Sequence, residues 1–393
     1  MTDALKGIKV LDLSRLLPGP YCTLILADHG AEVIKIESPE EGDYIRKLGV
    51  MLDEDSAYFW HLNRNKKSVT LNLKDPEGKE IFKRMVKEAD VLVESFRPGV
   101  MESLDLGYEQ LSKINPALIY CAITGYGKDG PYKSRAGHDL NYTSIAGINA
   151  LSGGKGESPI VPIMQLADVG GGSLWGSIAI LIALQARSNT GRGQFLDISM
   201  TEGSIACLPL QVTELFSNQP IPRRNEGLLS GFFACYNIYE TKDEKHLSLG
   251  ALERKFWKVF CEAVGRPDWV DQQFGPAEVQ QKLKEEVAQL FFEKTRDEWV
   301  DYFSDNDDCC VEPLLELHEV EKHPQIEFRK FFLDVEHPQR GKLKQLGFPC
   351  KLSETPARVT KNPPRLGEDT EEVLSGLGLS GEEIKALKRK GSI

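Results

Sequence analysis

At 393 residues the chain exceeds what one compact core usually holds, so two domains are expected. Apolar residues at 41% and charged residues at 27% describe an ordinary globular protein and exclude a disordered one. The net charge of −11 argues against broad binding to nucleic acid or to an anionic membrane, and leaves an anionic ligand only where basic side chains gather locally.

Met1 to Lys6 lack the basic start and apolar run of a signal peptide, and the eight cysteines contain no CxxC pair. A cytoplasmic protein with neither a metal nor a disulfide framework is therefore expected. Ile8 to Leu13 reads as a strand, Tyr21 to His29 as a helix stopped by Gly30, and Ala31 to Ile36 as a second strand. The alternation continues with helix Pro76 to Ala89, strand Val91 to Glu94, helix Tyr108 to Ile114 and strand Leu118 to Ile123. The longest apolar stretch, Leu174 to Leu184, is about half of the ~20 residues a membrane span requires, so the helix over 174–187 is expected as a buried core helix. Phe195 to Ser199 is the next strand.

Residues 220–230 have the texture of a linker. Beyond it lie strands near 233–239 and 246–250, helices near 253–264, 277–293 and 297–304, and a helical tail over 370–391. Pro313, Pro324 and Pro338 mark a return path. The fold class expected is α/β, with a large doubly wound, Rossmann-like domain over 1–220 and a smaller α+β domain over 221–330. Residues 331–393 are expected to return to the large domain.

Five groups of residues carry possible chemistry. Gly125 to Gly130 fits GxGxxG after a strand, but Pro131-Tyr132-Lys133-Ser134-Arg135 follows where a dinucleotide site needs a helix, so it reads as a glycine loop. His138 lies between that loop and a helix start, either as a cap or as an acid–base group. Asp168 precedes Gly170-Gly171-Gly172, either as a helix cap or beside free N–H groups able to stabilise developing negative charge. Glu253 reads as a first-turn glutamate. Lys35, Arg64, Lys66, Lys67, Lys74 and Arg97 cluster near strand ends, where they could either meet phosphates or remain solvated.

Taken together, these segments resemble the family III coenzyme A transferases (CaiB/BaiF), within them the α-methylacyl-CoA racemase branch. The resemblance rests on Leu17-Pro18-Gly19-Pro20, Gly30 to Glu37, Asn63 to Ser68, Phe96 to Val100, Gly125-Tyr126-Gly127 and Thr190 to Gln194, and it spans nearly the whole chain. It implies an interlaced homodimer that binds acyl-CoA as substrate and keeps no permanent cofactor. Asp168 matches the aspartate that transferases use as nucleophile. His138, in Ala136-Gly137-His138-Asp139, and Glu253, in Gly250-Ala251-Leu252-Glu253, match additions typical of racemases. The implied roles are proton exchange by His138 and Asp168, with Glu253 orienting His138 and donors near 170–173 stabilising an enolate. Leu71, Asn72, Lys74, Arg97, Gly137 and Tyr142 are the implied coenzyme A contacts. Ser38 stands where the family often has an arginine, a loss that Lys35 could cover. Transferase chemistry and simple acyl-CoA binding remain the alternatives.

Overall fold

The computed structural model describes residues 3–217 and 223–393. By internal packing the chain forms two units, one of Met1–Ile148, Pro162–Pro209 and Arg329–Ile393, the other of Asn149–Val161 and Leu210–Phe328. The second unit thus begins before residue 221 and takes a short segment from within the first. The expected boundary at 220/221 and the start of the expected linker lie outside the described residues, while 223–230 belongs to the second unit.

The first unit is built on a six-stranded parallel sheet of β1 (Lys9–Asp12), β2 (Glu32–Glu37), β3 (Lys66–Thr70), β4 (Val91–Glu94), β5 (Ile119–Thr124) and β6 (Phe195–Ser199). Its order is β3-β2-β1-β4-β5-β6, so direction along the sheet reverses between β1 and β4. This is the doubly wound arrangement, in which ligands collect beyond the carboxyl ends of strands at the reversal. Both faces are covered, so apolar residues of the central strands alternate between two cores. Val10, Val33, Val91, Val93, Ile119 and Cys121 face helix α1 (Pro18–Asp28) and the apolar helix that follows residue 167. Leu11, Ile34, Leu92, Tyr120 and Ala122 face α2 (Pro76–Lys87), α3 (Tyr108–Ile114) and the C-terminal residues Leu374, Ile384 and Leu387.

Two further helices position the site. The first, α4 (Asp139–Ile145), is short. The second begins as a π-helical stretch, Ala167–Leu174, and continues as α5 (Trp175–Thr190). Together they are long and apolar enough to cross a membrane by length and composition, yet Gly176 packs on Ile123 and Cys22, as a core helix does. The expected burial is one-sided: Ile180 and Ala183 are buried, whereas Ile178, Leu181 and Ile182 are exposed.

β6 runs into α6 (Met200–Ile205). In the second unit, β7 (Tyr236–Glu240), β8 (His246–Gly250) and β9 (Val311–Pro313) form an antiparallel sheet, with α7 (Arg254–Ala263), α8 (Ala277–Phe291) and α9 (Arg296–Phe303) around an aromatic core of Trp257, Phe260, Trp269, Phe291 and Trp299. The return path is a hairpin of β10 (Phe332–His337) and β11 (Gly341–Leu346), with Pro338 in its turn. The helical tail is two helices, α10 (Thr370–Gly376) and α11 (Gly381–Lys390).

Candidate active site

The site is assembled by three loops that leave the carboxyl ends of β1, β4 and β5. After β1 the chain turns at Ser14, whose N–H donates to Oδ1 of buried Asp12 (3.0 Å) and whose carbonyl accepts from Lys35 Nζ (2.8 Å). Leu16 has φ of 64°, a left-handed conformation uncommon outside glycine. Its N–H donates to Asp43 Oδ1 (3.0 Å), and Asp43 is ion-paired to Lys35 at 2.8 Å, both side chains buried. A buried charge pair therefore holds this loop in its strained form. The Arg15 N–H donates to Ser95 Oγ (3.1 Å), which ties the β1 loop to the β4 loop. At the end of β4, buried Glu94 accepts the Phe96 N–H (2.7 Å), and burial is the main cause that pushes its carboxyl up to about 8.

After β5 the glycine loop leads to α4. An added Cβ on Gly125 or Gly137 would collide with the ring of Tyr142, whose hydroxyl donates to the Gly137 carbonyl (2.5 Å). These glycines admit a tyrosine wall. His138 precedes α4 with its side chain exposed, and its N–H donates to Asn141 Oδ1 (3.0 Å). The next residue links His138 to the helix of Asp168. Asp139 Oδ1 accepts the N–H groups of both Ala167 (2.7 Å) and Asp168 (3.0 Å), capping the helix that carries Asp168. Asp168 is pushed up to about 7, first by burial and then by the negative charge of Asp139. Near neutral pH it is thus divided between acid and carboxylate.

These loops enclose a cavity of about 730 Å³ at the sheet reversal. His138, Asp168, Arg97, Gly137 and Tyr142 line it together. Asp168 is the sole carboxylate among the lining residues, against the cations Arg15, Arg97, Lys133 and Arg135. Such an excess of positive charge in an acidic protein favours an anionic ligand.

The structure places the other expected residues outside the lining of this cavity. Leu71 lies in the hydrophobic core, Asn72 Oδ1 accepts from the Lys74 N–H, and Lys74 is exposed; none of the three lines the cavity. Lys35 is committed to Asp43 and cannot cover for Ser38, whose carbonyl accepts from Gly42. Arg64 is paired with Asp28 (2.7 Å), Lys66 with Asp12 (3.2 Å), and Lys67 with Glu32 and Glu372, so these cations serve the fold. Residues 170–173 sit inside a continuous helix and are not its free start. Gly171 exists for packing, because an added Cβ would strike the Met200 carbonyl. The helix-start donors of Ala167 and Asp168 are already taken by Asp139. Glu253 stands at the N-cap of α7 in the second unit. Sequence reasoning did not single out Arg15, Lys133, Arg135 or the capping role of Asp139. The available signal for Arg15 was a basic residue directly after the first strand.

Comparison with known proteins identifies the family. The sequence profile of CoA-transferase family III matches residues 5–370. The chain belongs to this family. Human alpha-methylacyl-CoA racemase is 36% identical over 386 residues, covering 98% of this chain and 96% of that one. The succinyl-CoA:glutarate CoA-transferase of Mus musculus is 33% identical over 379 residues, covering 94% and 85%. A CAIB/BAIF family protein from Brucella suis, solved by crystallography, has a TM-score of 0.83 at 29% identity, covering 96% of this chain and 100% of that one. The protein is therefore an enzyme of the CoA-transferase and racemase family that uses coenzyme A thioesters as substrate.

Proposed function

We propose that the enzyme is a racemase that inverts the carbon next to the thioester carbonyl of 2-methylacyl-CoA substrates. The observation that carries this reading is the convergence of His138 and Asp168 on one cavity, with Asp139 adjoining the first and capping the second. Inversion by proton transfer requires a base on one face of the carbon and an acid on the other. In one direction the neutral imidazole takes the α-proton, the electron pair of the C–H bond passes into the enolate, and the Asp168 carboxyl returns a proton to the opposite face. In the other direction the roles reverse. Each turnover leaves the proton on the other group, so the pair must hold one proton between them, a condition suited by a carboxyl pushed up to about 7.

A second reading is favoured by the similar identity of the transferase relative. There Asp168 attacks the thioester carbonyl and the C–S bond breaks to give an acyl-aspartyl anhydride and coenzyme A thiolate. The thiolate attacks the aspartyl carbonyl and expels the donor acid, an incoming carboxylate displaces the thiolate from the aspartyl thioester, and the thiolate then takes the new acyl group and frees Asp168. Incubation of a single 2-methylacyl-CoA epimer in D₂O without an acceptor acid separates the two. Deuterium at the α-carbon together with the opposite epimer supports the racemase. No exchange, with acyl-CoA exchange appearing only after carboxylic acids are added, overturns it. His138→Ala is expected to abolish inversion with folding intact, and Glu253→Gln to lower kcat if that residue orients the imidazole. We further propose a homodimer, supported by the exposed apolar side chains Ile178, Leu181 and Ile182 on α5. Ile182→Asp should then lower the mass found by light scattering, and an unchanged dimer would remove this face from the interface.

A further inference from the structure

Arg15 differs from the other cations of the cavity in being built into the protein. Arg97, Lys133 and Arg135 are exposed, whereas Arg15 is half-buried. Its backbone is pinned to Ser95 Oγ at 3.1 Å, and Leu16 beside it is held by Asp43. Its guanidinium donates from Nη1 to the Tyr44 hydroxyl (2.9 Å) and lies 4.9 Å from the Tyr44 ring centre and 5.1 Å from that of Phe96. A planar fork held in this way loses little freedom when it meets a planar oxyanion. No ion pair to Arg15 exists among the described residues, and most of its five donors remain for a ligand.

The loop also points to which end of the substrate it serves. Ser173 Oγ lies 2.7 Å from the Pro18 carbonyl and 3.0 Å from that of Asp168, so one hydroxyl joins the Arg15 loop to the helix of the reacting carboxyl. Leu16 and Pro18 line the cavity between them. The exposed cations Arg97, Lys133 and Arg135 line the same cavity and are open to the phosphates of coenzyme A.

We propose that Arg15 binds a second carboxylate, at the far end of the acyl group, so that the substrates are coenzyme A thioesters of 2-methyl dicarboxylic acids. This rests on the acyl-CoA reading of the cavity, and binding tests it independently of the reaction catalysed. The full-length protein is titrated calorimetrically with coenzyme A alone and with two non-reacting S-alkyl thioethers of equal chain length, one ending in a carboxylate and one in a methyl group. The wild type is expected to prefer the carboxylate by on the order of tenfold to a hundredfold, the range of a charge-assisted bidentate contact. Arg15→Gln should bring that ratio close to one, and Arg15→Lys should retain part of it. A wild-type ratio near one overturns the proposal. So does an Arg15→Gln protein that weakens toward coenzyme A itself as much as toward the carboxylated thioether, because Arg15 would then be a phosphate ligand. Failure of the racemase reading would appear separately, in the D₂O exchange.

Discussion

Replacing Asp139 by Asn tests whether the residue between His138 and Asp168 sets the chemistry of the pair. The amide keeps an oxygen that can accept from Ala167 and Asp168, and Asn caps helices about as well as Asp, so stability should change by only a few tenths of a kcal/mol. Asp139→Ala removes the acceptor and is expected to cost about 1–2 kcal/mol. The charge is a different matter. Asp139 is the second cause, after burial, of the raised Asp168 carboxyl at about 7, so the amide should make Asp168 a stronger acid. The proposed inversion needs the two groups to share one proton, so the kcat/KM profile follows the protonation of Asp168. Lowering one member moves the window in which the pair holds a single proton to lower pH, in both directions of inversion. The assay is initial-rate epimerisation by chiral chromatography from pH 5 to 9, with urea unfolding of each variant alongside. A profile that stays in place, or moves to higher pH, with stability retained in Asp139→Asn would refute the electrostatic role.

Three further outcomes follow from the geometry around the cavity. Glu94, raised from 4.5 to about 8, contributes stability that is present below pH 4.5 and is lost as pH rises toward 8; Glu94→Gln should remove up to about 3 kcal/mol of that dependence between pH 5 and 8, read from urea midpoints. Gly171→Ala places a methyl group against the Met200 carbonyl, and overpacking of this kind should cost about 1–3 kcal/mol and lower turnover by moving the helix of Asp168. Lys35→Met leaves Asp43 as an uncompensated buried charge; a loss of about 3–5 kcal/mol is expected by chemical denaturation, and a neutral result would show that the pair does not hold the β1 loop.

Much of the sheet was legible because its strands are covered on both faces. Val91 to Glu94 and Phe195 to Ser199 are apolar runs bounded by breakers, and the structure places both strands at those limits. β3 was not legible, because Lys66-Lys67-Ser68-Val69-Thr70 looks like solvated surface. It forms a sheet edge only because Lys66 finds Asp12, Thr23 and Asn63 inside the protein. The hairpin of β10 and β11 was missed for a related reason, since charged residues interrupt the apolar alternation of Phe332 to His337.

The same physics divided the candidate site. His138 and Asp168, which line one cavity, could be found from local motifs, since each sits at a helix start that the glycines and apolar runs announce. The cations could not be sorted by position alone. Arg64 and Lys66 resemble phosphate ligands until Asp28 and Asp12, 36 and 54 residues away, are seen to neutralise them. Arg15 looks like surface charge until it is found without an acidic partner in the cavity. A buried charge is stable only with a partner, so a lysine or arginine paired within the fold has its role fixed by that partner. An unpaired one facing a cavity leaves its counter-charge to the ligand. That distinction depends on contacts across the chain, which is why the family could be approached from sequence while the pairing of its cations had to be read from the folded structure.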